Sequence, residues 1–434
     1  TICCDSITNF EYTTAVVVYF MDFAGNVDSC HTFLQAVDQD TICGITFSSN
    51  VKGLIQSRKS IFMPGVEVML NDGLSGTSQS RTDGFYGFYN MPNGGNYKVG
   101  AQHDINPLNG VSTADIIHIQ RHILGVATFT DPLKFIAADV NSNKRITAAD
   151  VVEIRKLILG KTDRFANSPS WKFVLSDYQF KDQEDPLSEN YPTSFQINNI
   201  NKNHYINFTG IKIGDVDDSN NPFQFNDLAI VRNQNTRLLV ANDLNLQKNQ
   251  DYDIEFNLNR FDELDGMQFE LQLDPSKARI MGLTEDAPGN ISEDMYRLIP
   301  ETNSIRISYV KTDNSETNWT IKLKIRVTAS CKLSEVVEMN GKVFNSEVYF
   351  TNGESAPLRV DFINQYSGQE GFSLFQNIPN PFKQSTIIPF QISERSDIVI
   401  RIVDINGKLI LEKKDNYNKG YHEIEILKSQ LDRS

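Results

Sequence analysis

Apolar and polar residues alternate in short runs along most of this chain, with the period of half-buried β-strands. AVVVYFMDF and TFLQAVDQD lie on either side of a turn at Gly25-Asn26. Pro64-Gly65-Val66-Glu67-Val68, FYGFYNMP and YKVGA follow, with a turn signal at Thr82-Asp83-Gly84. The longest alternating block lies in 227–363: LAIVRN, TRLLVAND, DYDIEFNLN, GMQFELQLD, SIRISYV, WTIKLKIRVTA and EVYFTN, separated by Asn and Asp turns. About eight strands of this kind predict a jelly-roll sandwich, with Trp319 as a core residue. The period changes in one place only. Between Asp104 and Gly160 the apolar residues recur at helical spacing. The expected fold class is therefore mainly β and multidomain, with tandem β-sandwiches and one small α-helical module.

That module holds one pattern written twice: DINPLNGVSTADIIHIQRHILG from Asp104 and DVNSNKRITAADVVEIRKLILG from Asp139. Each copy is an oxygen-rich loop followed by a striped helix. The stripes are Ile116, Ile119, Ile123 and Leu124 in the first copy, and Val151, Ile154, Leu157 and Ile158 in the second. Gly125 and Gly160 are placed as C′ residues. An EF-hand-like Ca²⁺ loop takes oxygen ligands at positions 1, 3, 5, 7, 9 and 12, the seventh through a backbone carbonyl. In the second copy these positions fall on Asp139, Asn141, Asn143, Arg145 (carbonyl), Thr147 and Asp150. The first copy supplies Asp104, Asn106, Gly110 (carbonyl), Ser112 and Asp115. Leu108, at position 5, has no side-chain oxygen, so Asn109 or water would have to fill that place. Two short helices are marginal alone, and metal binding with mutual packing would stabilise them.

Composition narrows the class. A chain of 434 residues with net charge −14 and no basic stripe is not built for nucleic acid. No apolar run approaches the roughly 18–20 residues that span a bilayer. Four of the five cysteines, Cys3, Cys4, Cys30 and Cys43, crowd the N-terminal tenth. They predict disulfides in an oxidising compartment, pairing open, against the alternative of buried thiols. Cys331 is left over as an apolar residue. No H-E-x-x-H, G-x-S-x-G or P-loop is present, so no catalytic residue is assigned. His118 and His122 have a metal-compatible spacing without a third ligand and read as surface residues.

Several stretches resemble known families. Asp22–Cys30, DFAGNVDSC, resembles the end of a hyalin-repeat (HYR), immunoglobulin-like domain, assigned to 1–43. The P-G-V-x-V strand, T-D-G turn and aromatic strand of 44–102 resemble a carboxypeptidase-regulatory-like sandwich. The duplicated loop-and-helix of 103–163 resembles a type I dockerin. That resemblance implies Ca²⁺ and a cohesin-binding face near Thr113, Ala114, Ala148 and Ala149. Residues 164–226, with Trp171-Lys172-Phe173 and KIGDVDD, read as a wrap belonging to the dockerin unit. Their Asp215, Asp217 and Asp218 read as a solvated acidic turn, with Ca²⁺ binding as the alternative. Leu264–Leu283 resembles the cohesin pattern of a G-x-Q-F strand, D-P and an apolar run, placing a cohesin-like jelly-roll at 227–363. An intrachain dockerin–cohesin-like contact follows as a hypothesis.

Residues 364–434 resemble a type A sorting domain of the type IX secretion system. The matching residues are Asn377, Pro379, Asn380, Pro381 and Phe382, then the turn with Asp404, Gly407 and Lys408, and a strand from Gly420. The resemblance implies the outer-membrane translocon and shuttle as partners. The family's last strand is missing at Leu431–Ser434. Together these resemblances imply the C-terminal region of a secreted, modular surface protein of the Bacteroidota kind, an adhesin or stalk component. The alternative is the accessory and sorting region of a secreted polysaccharide-degrading or proteolytic enzyme with its catalytic module upstream.

Overall fold

The computed structural model describes residues 14–21, 27–34, 49–223, 236–284, 291–311, 318–339, 345–363 and, with short breaks, 372–431. Cys3, Cys4 and Cys43, and with them the disulfide expectation, lie outside the described residues, as do Pro379 and Pro381. The chain divides into two compact units, and each is discontinuous in sequence.

The first unit comprises 1–105, 130–137 and 168–213. It opens with an antiparallel hairpin, Thr14–Met21 against Val27–Leu34. Two sheets follow. One runs His204–Tyr205, Ser49–Ser57, Phe208–Lys212, Trp171–Leu175, with Phe85–Met91 also on Ser49–Ser57. The other runs Gly76–Gln79, Glu67–Leu70, Tyr97–Gln102, Ser194–Ile197. Val51, Ile55, Tyr86, Val99, Trp171, Phe173 and Phe208 form the core. The sandwich expected from 44–102 is thus completed by strands from 171–212. The wrap reading of 164–226 is corrected accordingly. Without His204–Tyr205 and Phe208–Lys212 one edge of Ser49–Ser57 would be left unpaired, and these parallel neighbours need a long crossover to reach it. The side chains of Asn203 and Asn207 accept from the Asn50 and Leu54 amides at 2.9 Å, and the Tyr86 hydroxyl donates to the Ile206 carbonyl at 2.6 Å.

The second unit comprises 106–129, 138–167 and 214–434. Its sandwich links nine strands in one hydrogen-bonded path: Ala278–Leu283, Asn318–Val327, Asp251–Asn259, Arg237–Asn242, Ser355–Ile363, Glu347–Phe350, Leu264–Leu273, Ser304–Val310 and Tyr296–Ile299. Phe256, Phe261, Phe269, Tyr309 and the expected core residue Trp319 pack at its centre. Cys331 is partly buried against this core. Further along, Phe372–Leu374, Ser385–Ile392 and Gly420–Leu427 form a three-stranded sheet, and Ser396–Val403 pairs with Leu409–Tyr417. Phe390, Ile392, Ile424 and Ile426 are its core.

Among the described residues, three helices longer than one turn interrupt the β pattern: α1 (Thr113–Ile123), α2 (Pro132–Ala138) and α3 (Ala148–Ile158). The duplicated pattern predicted α1 and α3. The signal for α2 was Asp131-Pro132, an N-cap followed by proline, and the Asp131 carboxylate accepts from the Leu133 amide at 2.9 Å. Both α1 and α3 end in Schellman turns. The amides of Val126 and Gly125 reach the carbonyls of Arg121 and His122, and those of Lys161 and Gly160 reach Lys156 and Leu157. The α3 stripe is buried as expected. In α1, Ile116 and Ile119 are buried, but Ile123 and Leu124 are exposed and Ile117 takes their place.

Candidate metal centre and its helix–sheet seat

The Asp139 loop closes on itself through its own oxygens. The Asp139 carboxylate accepts from the amides of Asn143 and Lys144, both at 2.9 Å, and Asn141 Oδ1 accepts from Asn143 at 3.1 Å. Asn143 Oδ1 accepts from the Arg145 amide at 2.9 Å. Thr147 caps α3 while Asp150 reaches back to the Thr147 amide at 2.9 Å and the Asn141 amide at 3.3 Å. Ser142 and Lys144 take the positive φ values, 57° and 66°, that turn the backbone round the loop. Burial raises the pKa of the Asp150 carboxyl.

The first copy is built differently. Asp115, wholly buried, stands with Asp215 and Asp217, their carboxylate oxygens within 4.8 Å of one another. Asp115 Oδ2 accepts from the Ser112 amide at 2.8 Å, and Oδ1 from the Val216 amide at 2.7 Å. Asp215 accepts from the amides of Ser219 and Asn220 at 3.2 and 2.9 Å and from Asn220 Nδ2 at 2.7 Å. Ser219 Oγ donates to the Gly110 carbonyl at 2.8 Å. Burial, then Asp217 and Asp215, pushes Asp115 well above the usual carboxyl range. Burial, then Asp217, pushes Asp215 up to about 7. Among the described residues this is the one group of three carboxylate, His or Cys ligands close enough to share an ion.

Asp104 is employed elsewhere. Its Oδ1 accepts from the amide and hydroxyl of Ser170 at 2.8 and 2.7 Å. Asn106 takes a left-handed turn at φ 48°. Of the set expected in the first loop, Gly110, Ser112 and Asp115 come together, joined by residues more than a hundred positions downstream. The solvated-turn reading of Asp215 is corrected, since that side chain is buried. The pairing joins stretches about a hundred residues apart, so neither stretch alone shows it. The repeated Asp-Val-x opening at Asp215 and Asp139 was the available signal. The His118–His122 spacing gathers no ligand set; the His122 ring stacks on Phe129 at 4.3 Å and its Nδ1 accepts from the Phe129 amide.

The helical pair is seated on the second unit's sandwich. Along Leu264–Leu273, Met267, Phe269, Leu271 and Leu273 point into the core, yet the intervening Gln268 and Glu270 are buried as well. Ser304, Arg306 and Ser308 on the neighbouring strand are buried in the same way. Period-2 residues become buried on both faces only when something covers the outer one, and α1 lies over these two strands. The Thr113 amide donates to Gln268 Oε1 at 2.8 Å, and its hydroxyl pairs with that of Ser308 at 2.7 Å. Arg121 forms an ion pair with Asp265. A Cβ on Gly266 would stand 3.2 Å from Ile117 Cδ1 and 2.5 Å from the Tyr309 carbonyl, so glycine is what allows so close an approach. The second repeat engages through its C-terminal end: Arg155 to Asp294 at 2.8 Å, Lys161 to the Glu293 carbonyl at 2.8 Å, and Arg306 to the Ile158 carbonyl at 3.4 Å. Arg306 is itself paired with buried Glu270 at 2.9 Å. Of the expected contact positions, Thr113 is wholly buried, whereas Ala148 and Ala149 are exposed.

In the C-terminal module, Asn377 Nδ2 donates to Thr386 Oγ1 at 2.9 Å. Asp404 Oδ1 accepts from the amides of Asn406 and Lys408, and Gly407 takes φ 80°, forming a tight hairpin turn with Ile405 fully exposed. Asn380 is exposed and Phe382 half-buried.

The fold so defined is a mainly β chain of packed sandwiches with one inserted helical pair. No protein-family model matches it, and no curated protein matches it significantly. Similar solved structures include a type II cohesin domain from the cellulosome of Acetivibrio cellulolyticus (12% identity, 30% of this chain, 91% of that one, TM-score 0.23). Another is a type I cohesin–dockerin complex from Clostridium thermocellum (11% identity, 30% and 100%, TM-score 0.23). A third is the type II cohesin dyad of the ScaA scaffoldin of A. cellulolyticus (10% identity, 41% and 66%, TM-score 0.25). Among the described residues no helix is long and apolar enough to cross a membrane.

Proposed function

We propose that the chain is the non-catalytic C-terminal region of a secreted, modular surface protein, an adhesin or stalk component, in which a dockerin-like pair is an internal joint. The observation that carries this reading is the seating of α1 on the sandwich. Thr113, Ile117 and Arg121 meet Gln268, Ser308, Gly266 and Asp265 of the same chain. A face already covered from within is placed to stiffen the molecule, and because both faces belong to one chain they meet at a high effective concentration. The sandwich on which it sits is read as cohesin-like.

Ca²⁺ is the proposed cofactor. Asp139, Asn141, Asn143, the Arg145 carbonyl, Thr147 and Asp150 are hard oxygen donors in EF-hand order, which suits Ca²⁺ rather than a softer metal. Export by the type IX machinery is proposed from the Asn377–Phe382 phrase and the Asp404–Lys408 turn, and it places the protein on the cell surface or outside the cell.

Thermal melts of the full chain test the calcium reading. Ca²⁺ at about 100 times its dissociation constant should stabilise the second unit by about 2.7 kcal/mol over chelator, and Asp139→Asn should reduce that gain. A wild-type melt indifferent to chelator would overturn it. For export, deleting the Asn377–Phe382 phrase from the parent protein, in a bacterium carrying the type IX machinery, should retain the protein inside the outer membrane. Unchanged secretion would remove that part of the reading.

A further inference from the structure

We propose that the second unit holds another Ca²⁺ site, an EF-hand-like loop assembled from two separate stretches of chain. Asp215, Asp217 and Ser219 supply positions 1, 3 and 5, and the Gly110 carbonyl, Ser112 and Asp115 supply positions 7, 9 and 12. Joined end to end, the stretches read DVDDSN and GVSTAD, twelve residues in the order of the uninterrupted DVNSNKRITAAD. The proposal extends the calcium reading of the Asp139 loop but uses none of its ligands, so each can fail alone.

The two loops share most of their internal hydrogen bonds. The position-5 amide donates to the position-1 carboxylate in both, Ser219 to Asp215 as Asn143 to Asp139. The position-6 amide donates to its other oxygen, Asn220 as Lys144. The position-5 amide also reaches position 3, Asp217 as Asn141. The position-9 amide donates to position 12, Ser112 to Asp115 as Thr147 to Asp150. Position 4 is left-handed in both, φ 60° at Asp218 and 57° at Ser142. They differ at the closure, where Asp115 accepts from position 2, Val216, and Asp150 from position 3, Asn141, and at the 6–7 junction, where the continuous loop alone has a left-handed Lys144 and the Arg145 amide bonded to Asn143.

The stretches abut where an unbroken loop has its peptide bond between positions 6 and 7. A Cβ on Gly110 would lie 2.6 Å from the Asn220 amide nitrogen and Cα, and 2.5 Å from Asp215 Oδ2. Glycine is required there, both for that approach and for its φ of 77°.

A second observation points to a ligand. The Asn220 side chain is only 9% exposed and lies against Asp215, yet its Oδ1 has no hydrogen-bond partner. An unpaired buried oxygen is unfavourable unless something satisfies it. The Asn220 amide nitrogen faces Asp215, and the three carboxylates, among the described residues, form no ion pair with Lys or Arg. Three carboxylates, a carbonyl and two hydroxyls form an all-oxygen set for a hard dication. The split loop carries three acidic ligands to the two of the Asp139 loop, so it should be the tighter of the pair. A metal here would also clip together segments about a hundred residues apart, the case in which loop closure stabilises most. It would tie the approach to the sandwich to the helix seated upon it.

Isothermal titration of the chelator-stripped full chain with CaCl₂ tests the assignment. Wild type should bind two Ca²⁺. Asp217→Asn and the milder Ser219→Ala should abolish the tighter event or weaken it at least tenfold, whereas Asp104→Asn should leave both events. A full-strength tight event in Asp217→Asn, or its loss in Asp104→Asn, would overturn the split site. Failure of the Asp139 reading has a different signature: Asp139→Asn would change nothing while Asp217→Asn still removed the tight event. Because Asp217→Asn can fail to fold, wild-type crystals soaked in TbCl₃ provide a readout without substitution. An anomalous peak among Asp115, Asp215 and Asp217 is expected, and its absence alongside a peak at the Asp139 loop would overturn the proposal.

Discussion

The two copies of one sequence pattern, thirty-five residues apart, have diverged into different structural roles. The second copy is self-contained: its loop is continuous, its Ala148 and Ala149 face solvent, and its polar contacts with the sandwich lie near the end of α3. The first copy is embedded. Thr113 and Ile117 are buried on the sheet, and the acidic group around Asp115 is completed by Asp215 and Asp217 from a distant stretch. Repeated local chemistry makes repeated helices and caps, but the neighbours decide which copy carries the joint.

The strongest way to break this comparison is at the seat. Arg306→Ala should destabilise the second unit by about 3–5 kcal/mol, since it leaves Glu270 buried without its ion partner. Urea unfolding followed by Trp319 fluorescence in a Trp171→Phe background would measure it. A matched pair of charges compares the repeats directly. Ile117→Asp puts a carboxylate under α1 and should cost about 3 kcal/mol or more. Val152→Asp, at a position 39% exposed on α3, should stay within about 0.5 kcal/mol. Equal effects in that assay would erase the distinction.

The acidic group makes a pH prediction for the metal-free chain. Asp115 lies above the usual carboxyl range and Asp215 reaches about 7. Between about pH 4 and pH 7 the folded chain therefore holds protons that the unfolded chain has released, and its stability falls as pH rises through that window. The loss should be on the order of 2–4 kcal/mol. It would be read as a lower melting temperature in chelator at pH 7.5 than at pH 5. Asp215→Asn should flatten the slope, whereas a slope of opposite sign would contradict the burial of these carboxyls. The smallest effect belongs to single contacts. Thr113→Ala should cost about 1 kcal/mol through its lost hydroxyl bond to Ser308, while Ala148→Thr, exposed in the other repeat, should cost less than about 0.5 kcal/mol. The same unfolding assay separates the two.

Much of this was legible in the order of residues. The alternation of DYDIEFNLN and SIRISYV specifies strands, because a two-residue period matches the pleat. Ser112 and Thr147, each with Asp three residues on, specify capped helix starts, and Gly125 and Gly160 the stops, because these act within one turn of chain. Leu108, with no oxygen at a ligand position, already marked the first loop as irregular. Other features depend on distant chain. Gln268, Glu270 and Arg306 look like outward polar positions, and only α1 and α3 lying over them make that face buried. Phe208–Lys212 has strand character, but its parallel partner Ser49–Ser57 lies more than a hundred residues away. Periods, caps and the kinds of oxygen on offer are short-range properties, and residue order is enough to read them. That Asp115 meets Asp215 and Asp217 while Asp104 is bound to Ser170 follows from the packing of the sheets, which brings distant carboxylates together and leaves no trace in local spacing.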